Sequence, residues 1–411
     1  MDFEVDADTR AIGEAVLRFV EREVLPLEDE HRTVLANERT LFQPDGRFVP
    51  ELLALRRRIR MRSAELGYYN LFGAEALGGA GLGAQAMAHI QEVLNHRFGP
   101  GRPLIQTVVL PSPFTNGLSP VLRQLTPAAF ARYREGIASG DKTLCFGLSE
   151  PDAGSDVFAM KTRAVRDGDH WVLSGTKQWI TNSPYADHAM IFALTDPEAA
   201  ARHQGGVTGF FIDTKTPGFS VPRLINTMGH LGGDTGVVVL DGVRVPDDHR
   251  LGAVGRGLAV AMDGVNAGRI GMAATCLGLA RWALDQALAY AKVRKTQGVP
   301  IAEHQAIQFM LADSAMDIYA AKSMIQNCAW RIDRGEAATA QVSMVKAFAT
   351  EMLGRVMDRS IQVHGAMGLT NELRIEEGWR FARVMRIPDG TAEIQRRTIA
   401  RQLLGGRATD L

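Results

Sequence analysis

Cysteine is scarce in this chain: Cys145, Cys276 and Cys328 are the three among 411 residues, far apart and each in an apolar stretch. An odd and sparse count excludes a disulfide framework and suits a reducing cytoplasm. An excess of charge is also missing. Lys plus Arg and Asp plus Glu both total 46, so the formal net charge is zero. General affinity for nucleic acid or an anionic membrane runs on clustered positive charge, and neither is expected. No run reaches the roughly 18 uninterrupted apolar residues of a membrane span. The opening MDFEVDADTR lacks the basic-then-apolar order of a secretory signal. A cytoplasmic protein is expected.

Common site motifs are absent as well. There is no GxxxxGK phosphate loop, no HExxH and no CxxC, and His304, His364 and Cys328 lack metal-ligand spacing, so no metal is expected. Ser149 has no GxSxG context, which leaves nucleophilic acyl transfer weak. Gly79-Ala80-Gly81-Leu82-Gly83-Ala84 does satisfy G-x-G-x-x-A. That fingerprint needs a buried strand before it and an acidic residue about 20 positions on, and neither is evident. It reads as a glycine-rich turn capping the next helix.

What is present is a chain 46% apolar and 22% charged, ordinary for a globular protein and long enough for two or three packed units. Residues 1–140 read as helical, with Ile12, Val16, Phe19, Val20 and Val24 at three-to-four spacing and a second helix over 50–66. The Arg56-Arg57-Arg58 run there reads as a solvated face rather than a phosphate site. Over 141–250 short runs (143–148, 170–173, 188–194, 207–212 and 236–240) stand between Gly, Pro and Asp turns. These predict strands of an antiparallel domain, since parallel crossover helices have no room. Residues 251–411 turn helical again, with patterns over 257–292, 303–334, 339–365 and 391–404. The third carries Val342, Val345, Ala349, Met352, Val356 and Val363, the stripe of a bundle helix. The order helices, strands, helices predicts an α+β fold.

Three blocks can carry chemistry. Phe146–Asp156, FGLSEPDAGSD, is a strand running into a glycine-bearing loop that exposes backbone N–H groups to a flat or anionic ligand. In KQWITN, Trp179 and Thr181 stand two apart, so both point to one face of a strand; the alternative is a half-buried structural Trp. In the third, QVHGAMG from Gln362 precedes RIPDGTAEIQR from Arg386. Asp389 there is a carboxylate on a turn before a last helix: a candidate base, or an ordinary Pro-Asp-Gly turn.

Together these blocks resemble the acyl-CoA dehydrogenase family. AGRIGMAATCLGLARWALDQALAYAKVRKTQG, IAEHQAIQFMLADSAM, MGHLGGDTGVVVLDGVRVP and PDGTAEIQRRTIAR complete the series in family order over roughly residues 140–405. The resemblance implies an N-terminal helical domain, a middle antiparallel β-barrel domain and a C-terminal four-helix bundle, assembled as a homotetramer. It implies FAD held without a covalent bond, an acyl-CoA substrate and an electron-transferring flavoprotein as partner. By position, Phe146, Leu148, Ser149, Gly154, Ser155, Trp179, Ile180 and Thr181 would cradle the flavin. Arg294, Thr296, His304 and Gln305 would reach the pyrophosphate and adenosine, and Thr391 and Glu393 the nucleotide. Gln362, Val363, Gly365 and Ala366 would be supplied across a subunit interface. Ser155, Asn266, Arg269 and Gly390 match positions that contact acyl-CoA.

Asp389 matches the catalytic base, where most relatives have Glu. The resemblance implies that it takes the α-proton while the β-hydrogen leaves as hydride, the thioester oxygen being polarised by the base residue's own N–H and a flavin hydroxyl. Asp shortens the reach by roughly 1 Å, a displacement that can cost about a hundredfold in rate. Relatives acting on nitroalkanes carry Asp here, so a flavin oxidase on the same fold is the alternative. Gln297 replaces an aromatic and Glu393 a Gln of the family.

Overall fold

The structure, a computed structural model, describes residues 3–228 and 234–407. The stretch GHLGG within the resemblance motif that starts at Met228 lies outside the described residues, as do the first two residues and the last four. The chain divides into two compact units. One is built from the segments up to Pro26, Gly83–Arg102 and from Arg269 onward; the other from Leu27–Leu82 and Pro103–Gly268.

In the first unit the opening helix, Ala7–Phe19, is started by Asp6, whose side chain accepts from the Thr9 N–H at 2.7 Å. It runs on as a wider π turn, Val20–Val24. That change of pitch keeps Val16, Phe19, Val20 and Val24 all buried, as the apolar spacing requires. It packs on Ala84–Phe98, which packs in turn on Gln305–Asp333. Thr339–His364 is the central helix and lies against Gln305–Asp333, Ile375–Met385 and Ala392–Leu404. Its stripe of Val342, Val345, Ala349, Met352 and Val356 joins Ala273, Leu277 and Ala280 of the long helix Gly257–Val293 in one core. At about 25 cal/mol per Å² of apolar surface, such burial is the main source of this unit's stability.

In the second unit eight strands form one sheet in the order β6-β7-β3-β2-β4-β5-β8, with β1 paired to β4. They are β1 Leu144–Gly147, β2 Arg163–Asp167, β3 His170–Thr181, β4 His188–Leu194, β5 Val207–Asp213, β6 Phe219–Leu224, β7 Thr235–Pro246 and β8 Arg250–Leu251. The pairing is antiparallel except at two places: β1 with β4, and a single β2–β4 pair, are parallel. The sheet is thus predominantly antiparallel, as expected, with these two parallel pairings inside it. The β2–β3 hairpin intervenes between β1 and β4, and so supplies the return that a parallel pair needs. Both faces of β4 are covered. Met190, Phe192 and Leu194 enter one apolar cluster while Ala189, Ile191 and Ala193 enter another, so its sequence shows no polar alternation.

The Arg-rich face is only partly solvated. Arg57 and Arg58 are exposed, but Arg56 is half-buried with its guanidinium 5.5 Å from the centre of the Phe48 ring, so the reading of Arg56 as solvated is corrected. Among the described residues no helix is long and apolar enough to cross a membrane.

Candidate active site

Asp389 sits in the turn between Ile375–Met385 and Ala392–Leu404. Its φ is +58° and that of Gly390 is +86°, so two successive residues occupy the left-handed region. Glycine does so freely and aspartate better than most. Thr391 caps the final helix, its hydroxyl accepting from the Ile394 N–H at 3.3 Å.

The turn is held at its carbonyls. Arg269 donates to the Asp389 oxygen through Nε at 3.0 Å and Nη2 at 2.9 Å. Lys346 Nζ donates to the Gly390 oxygen at 2.8 Å. Gln395 Nε2 donates to both, at 3.1 Å and 2.9 Å. Arg269, Lys346 and Gln395 are all buried. A Cβ at residue 390 would meet Gln395 Nε2 at 2.8 Å, so this position also needs glycine for space. Withdrawal from water pushes the Asp389 carboxyl up to about 6, against the pull of Lys346 and Arg269. Burial likewise brings Lys346 down to about 8. A carboxyl that ionises near neutrality, on a turn held from several sides, has the makings of a general base.

Arg269 and Gly390 therefore stand with Asp389, as their motif positions suggested, and the guanidinium is committed to a backbone carbonyl. Asn266, three residues earlier on the same helix, is exposed. Lys346 and Gln395 were missed in the sequence. Their signal was a polar residue inside a buried stripe: Lys346 interrupts the Val342, Val345, Ala349 series, and Gln395 lies on the inner face of the last helix.

The other predicted residues of this unit lie at helix ends. Arg294 and Thr296 are exposed around a hairpin whose turn residues, Gln297 and Gly298, have φ of +51° and +84°. His304 precedes the helix Gln305–Asp333, and its buried Nε2 has no hydrogen-bond partner among the described residues. Gln362, Gly365 and Ala366 are exposed at the end of Thr339–His364, whereas the Val363 side chain packs with Ala287, Ala291 and Ile301. Thr391 is half-buried and Glu393 exposed.

In the unit that carries the sheet, the loop after β1 is pinned by a buried ion pair. Lys177 Nζ lies 2.6 Å from Glu150 Oε1 and donates to the Leu148 oxygen at 3.1 Å. Glu150 also accepts from the Lys161 and Thr162 N–H groups, and Lys177 holds its carboxyl below the usual range despite burial. Leu148 and Ser149 are half-buried at the loop's start, and Gly154 and Ser155 are exposed along it. The Phe146 ring packs against Phe114 and Phe192. On β3 the register against β7 shifts between Lys177 and Ile180, and Trp179 takes φ +66°. This bulge reverses the alternation. Trp171, Leu173 and Lys177 face inward, yet Trp179 is 54% exposed, Thr181 is exposed beside it and Ile180 is buried.

Gly79–Ala84 is a turn, as read. Gly83 starts the helix Ala84–Phe98, and the Asp333 carboxylate accepts from the N–H groups of Ala84 at 2.6 Å and Gln85 at 2.9 Å. Asp333 thus takes the place that a dinucleotide's pyrophosphate would need.

Comparison with known proteins agrees with these arrangements. Residues 145–243 match the acyl-CoA dehydrogenase middle domain and residues 255–404 the acyl-CoA dehydrogenase C-terminal domain. A 3-(aryl)acrylate reductase of Clostridium sporogenes is 34% identical over 94% of this chain and 96% of its own. The caffeyl-CoA reductase-Etf complex subunit CarC of Acetobacterium woodii is 35% identical over 88% of this chain and 92% of its own. Butyryl-CoA dehydrogenase from Megasphaera elsdenii superposes with a TM-score of 0.83 at 28% identity, covering 98% of this chain and all 100% of that one. The chain belongs to the acyl-CoA dehydrogenase family.

Proposed function

We propose that this enzyme oxidises an acyl-CoA thioester to its α,β-unsaturated form with FAD, Asp389 taking the α-proton, and passes the electrons to an electron-transferring flavoprotein. The observation that carries this reading is the Asp389 turn: a carboxyl raised to about 6 on a backbone fixed by Arg269, Lys346 and Gln395. An α-CH is a weak acid, so the base must be both basic and well placed. Activity then rises with pH through about 6, as the carboxyl loses its proton.

FAD is the cofactor, and the residues present fit it. An exposed indole at Trp179, the orphaned His304 Nε2 at a helix start and the exposed Arg294 offer an aromatic surface, an imidazole and a cation. Bound FAD supplies the two-electron acceptor for the β-hydrogen. We assign Phe146 to Ser155 and Trp179 to Thr181 to its ring, and Arg294, Thr296, His304, Gln305, Thr391 and Glu393 to its nucleotide. Ser155, Asn266, Arg269 and Gly390 are assigned to the thioester.

The partner reading is supported by the relative named as a subunit of an Etf complex. We further read the enzyme as a tetramer. Phe309, Met316 and Tyr319 lie at helical spacing on one helix and are 60%, 63% and 76% exposed, an apolar stripe suited to burial against a second copy. Gln362 to Ala366 then reach a neighbour's nucleotide. Light scattering on the purified protein tests this. Three modules, 1–140, 141–250 and 251–411, belong to the same reading and are supported by the order of elements. So does a cytoplasmic location, which the three buried, unpaired cysteines support.

The deciding experiment mixes the FAD-loaded protein anaerobically with a thioester panel and follows the flavin absorbance. Relatives named for aryl acrylate and caffeyl-CoA reduction put aryl-propanoyl thioesters on that panel beside butyryl-CoA. If no member bleaches the flavin, the proposal fails. Asp at the base position favours a second reading, a flavin oxidase, and stoichiometric peroxide during aerobic turnover identifies it.

A further inference from the structure

Lys346 is fully buried on the central helix Thr339–His364, among the valines and alanines of its core stripe. Withdrawing an ammonium from water is costly, and an apolar residue of the same length packs there more cheaply. The charge is directed at one feature, since Nζ donates to the Gly390 carbonyl at 2.8 Å. That carbonyl belongs to a turn whose left-handed residues, Asp389 and Gly390, need outside support. The groups around the ammonium come from three elements. The Gly257–Val293 helix contributes the Arg269 guanidinium and the Cys276 thiol, which burial pushes up to about 12 and so keeps neutral. The final helix contributes Glu393, exposed, and the turn contributes Asp389.

We infer that Lys346 is a positioning residue for the base: its ammonium fixes the Asp389–Gly390 turn and keeps the Asp389 carboxyl ionised for proton removal. This rests on the reading of Asp389 as the base. Of the two cations that pull the Asp389 carboxyl down, Lys346 acts more strongly than Arg269. Asp389 in return is the largest influence opposing the loss of the Lys346 proton. Between about 6 and about 8 the two are a carboxylate and an ammonium. Below that window the base is protonated, and above it Lys346 is neutral, leaving Arg269 as the turn's cation.

The test uses full-length, FAD-loaded protein and three substitutions at Lys346, each measured for anaerobic flavin bleaching against pH and for melting temperature without FAD. Lys346→Gln keeps a donor for the Gly390 carbonyl but no charge. Its acid limb is expected to move up by about one pH unit, with a loss of about tenfold below the limb and much less above it. Lys346→Met, lacking both charge and donor, moves the limb likewise and also lowers the rate at every pH. Lys346→Arg restores the limb. Should Lys346→Met fail to fold, Lys346→Gln decides alone. A limb that stays in place in Lys346→Gln, or a loss that is equal at all pH and tracks only a lower melting temperature, overturns the inference. Asp389→Asn separates this from the base reading. If Asp389→Asn still bleaches normally, the base assignment itself falls. If it is dead while Lys346→Gln behaves as wild type, only the role of Lys346 falls.

Discussion

The Arg269 guanidinium holds the backbone carbonyl of Asp389 in a two-donor grip, with Nε at 3.0 Å and Nη2 at 2.9 Å. Planar and permanently charged, it fixes both the direction and the distance of the peptide that carries the base. A lysine offers a single point of attachment. Arg269→Lys is therefore expected to keep its FAD and fold while slowing flavin reduction by about 10- to 100-fold, the usual cost of misplacing a reacting group by a fraction of an ångström to an ångström. Stopped-flow bleaching at saturating thioester checks this. A rate within about twofold of wild type contradicts it.

Asp389 also predicts a sign for stability. Its folded-state carboxyl titrates near 6 and its free value is 3.8, so between those limits the folded protein holds a proton that the unfolded chain has lost. Its contribution to stability is therefore full below the lower limit, falls as pH rises through the window, and is lost above it. Asp389→Asn removes this titration and also tolerates a left-handed φ, which Ala does less well. The variant should melt higher than wild type at pH 7.5, and that advantage should shrink toward acid pH. A difference that is constant with pH argues against burial as the origin of the shift.

The Glu150–Lys177 pair, 2.6 Å apart and almost wholly buried, predicts a strongly non-additive cycle. Lys177→Met strands a carboxylate in the protein interior and should cost about 3–5 kcal/mol. Adding Glu150→Gln should recover much of that loss, because the orphaned charge disappears. Urea unfolding of the two singles and the double gives the coupling. Additive effects rule out a charge-based role for the pair.

Trp179, 54% exposed, contributes little to the core, so its removal separates binding from stability. Trp179→Ala is expected to leave the melting temperature of the FAD-free protein within about a degree or two and to weaken FAD binding by about three- to tenfold, within a stacking contact's usual worth of about 0.5–1.5 kcal/mol. Titration of the apoprotein with FAD, followed by fluorescence, measures it. Unchanged affinity removes Trp179 from the flavin site.

Helices were the most legible part of the sequence. Their ends fell within a few residues of expectation because the three-to-four apolar spacing is a direct record of a one-sided core. Strand β4 was read whole, because four or more consecutive apolar residues between turns permit little else. Strands β2 and β6 went unread. In β2 all residues but Ala164 are exposed, so no apolar alternation marks it, and in β6 the alternation of Phe219 and Val221 stops at Pro222. Strand β3 was read as two fragments because Ser174-Gly175 interrupts it, Gly175 having φ +152° at a register shift. The residues alone leave Asp389 open between a base and an ordinary Pro-Asp-Gly turn, and only the motif resemblance favours the base. Lys346 and Gln395 are polar residues at buried helix positions, a placement that in a sequence names no partner. Their sense lies in the Asp389 and Gly390 carbonyls, with which they share no sequence pattern.

The Asp333 cap on the helix Ala84–Phe98 spans 249 positions of sequence. On a ribosome, that helix leaves the exit tunnel long before its cap is made. Its first turn then depends on water alone until most of the chain has been translated. Nascent fragments that stop short of Asp333 carry an open helix start and an uncovered apolar face, a natural handle for chaperones. Completion of this unit is consequently a late event in biosynthesis, although its first helix is among the earliest segments produced.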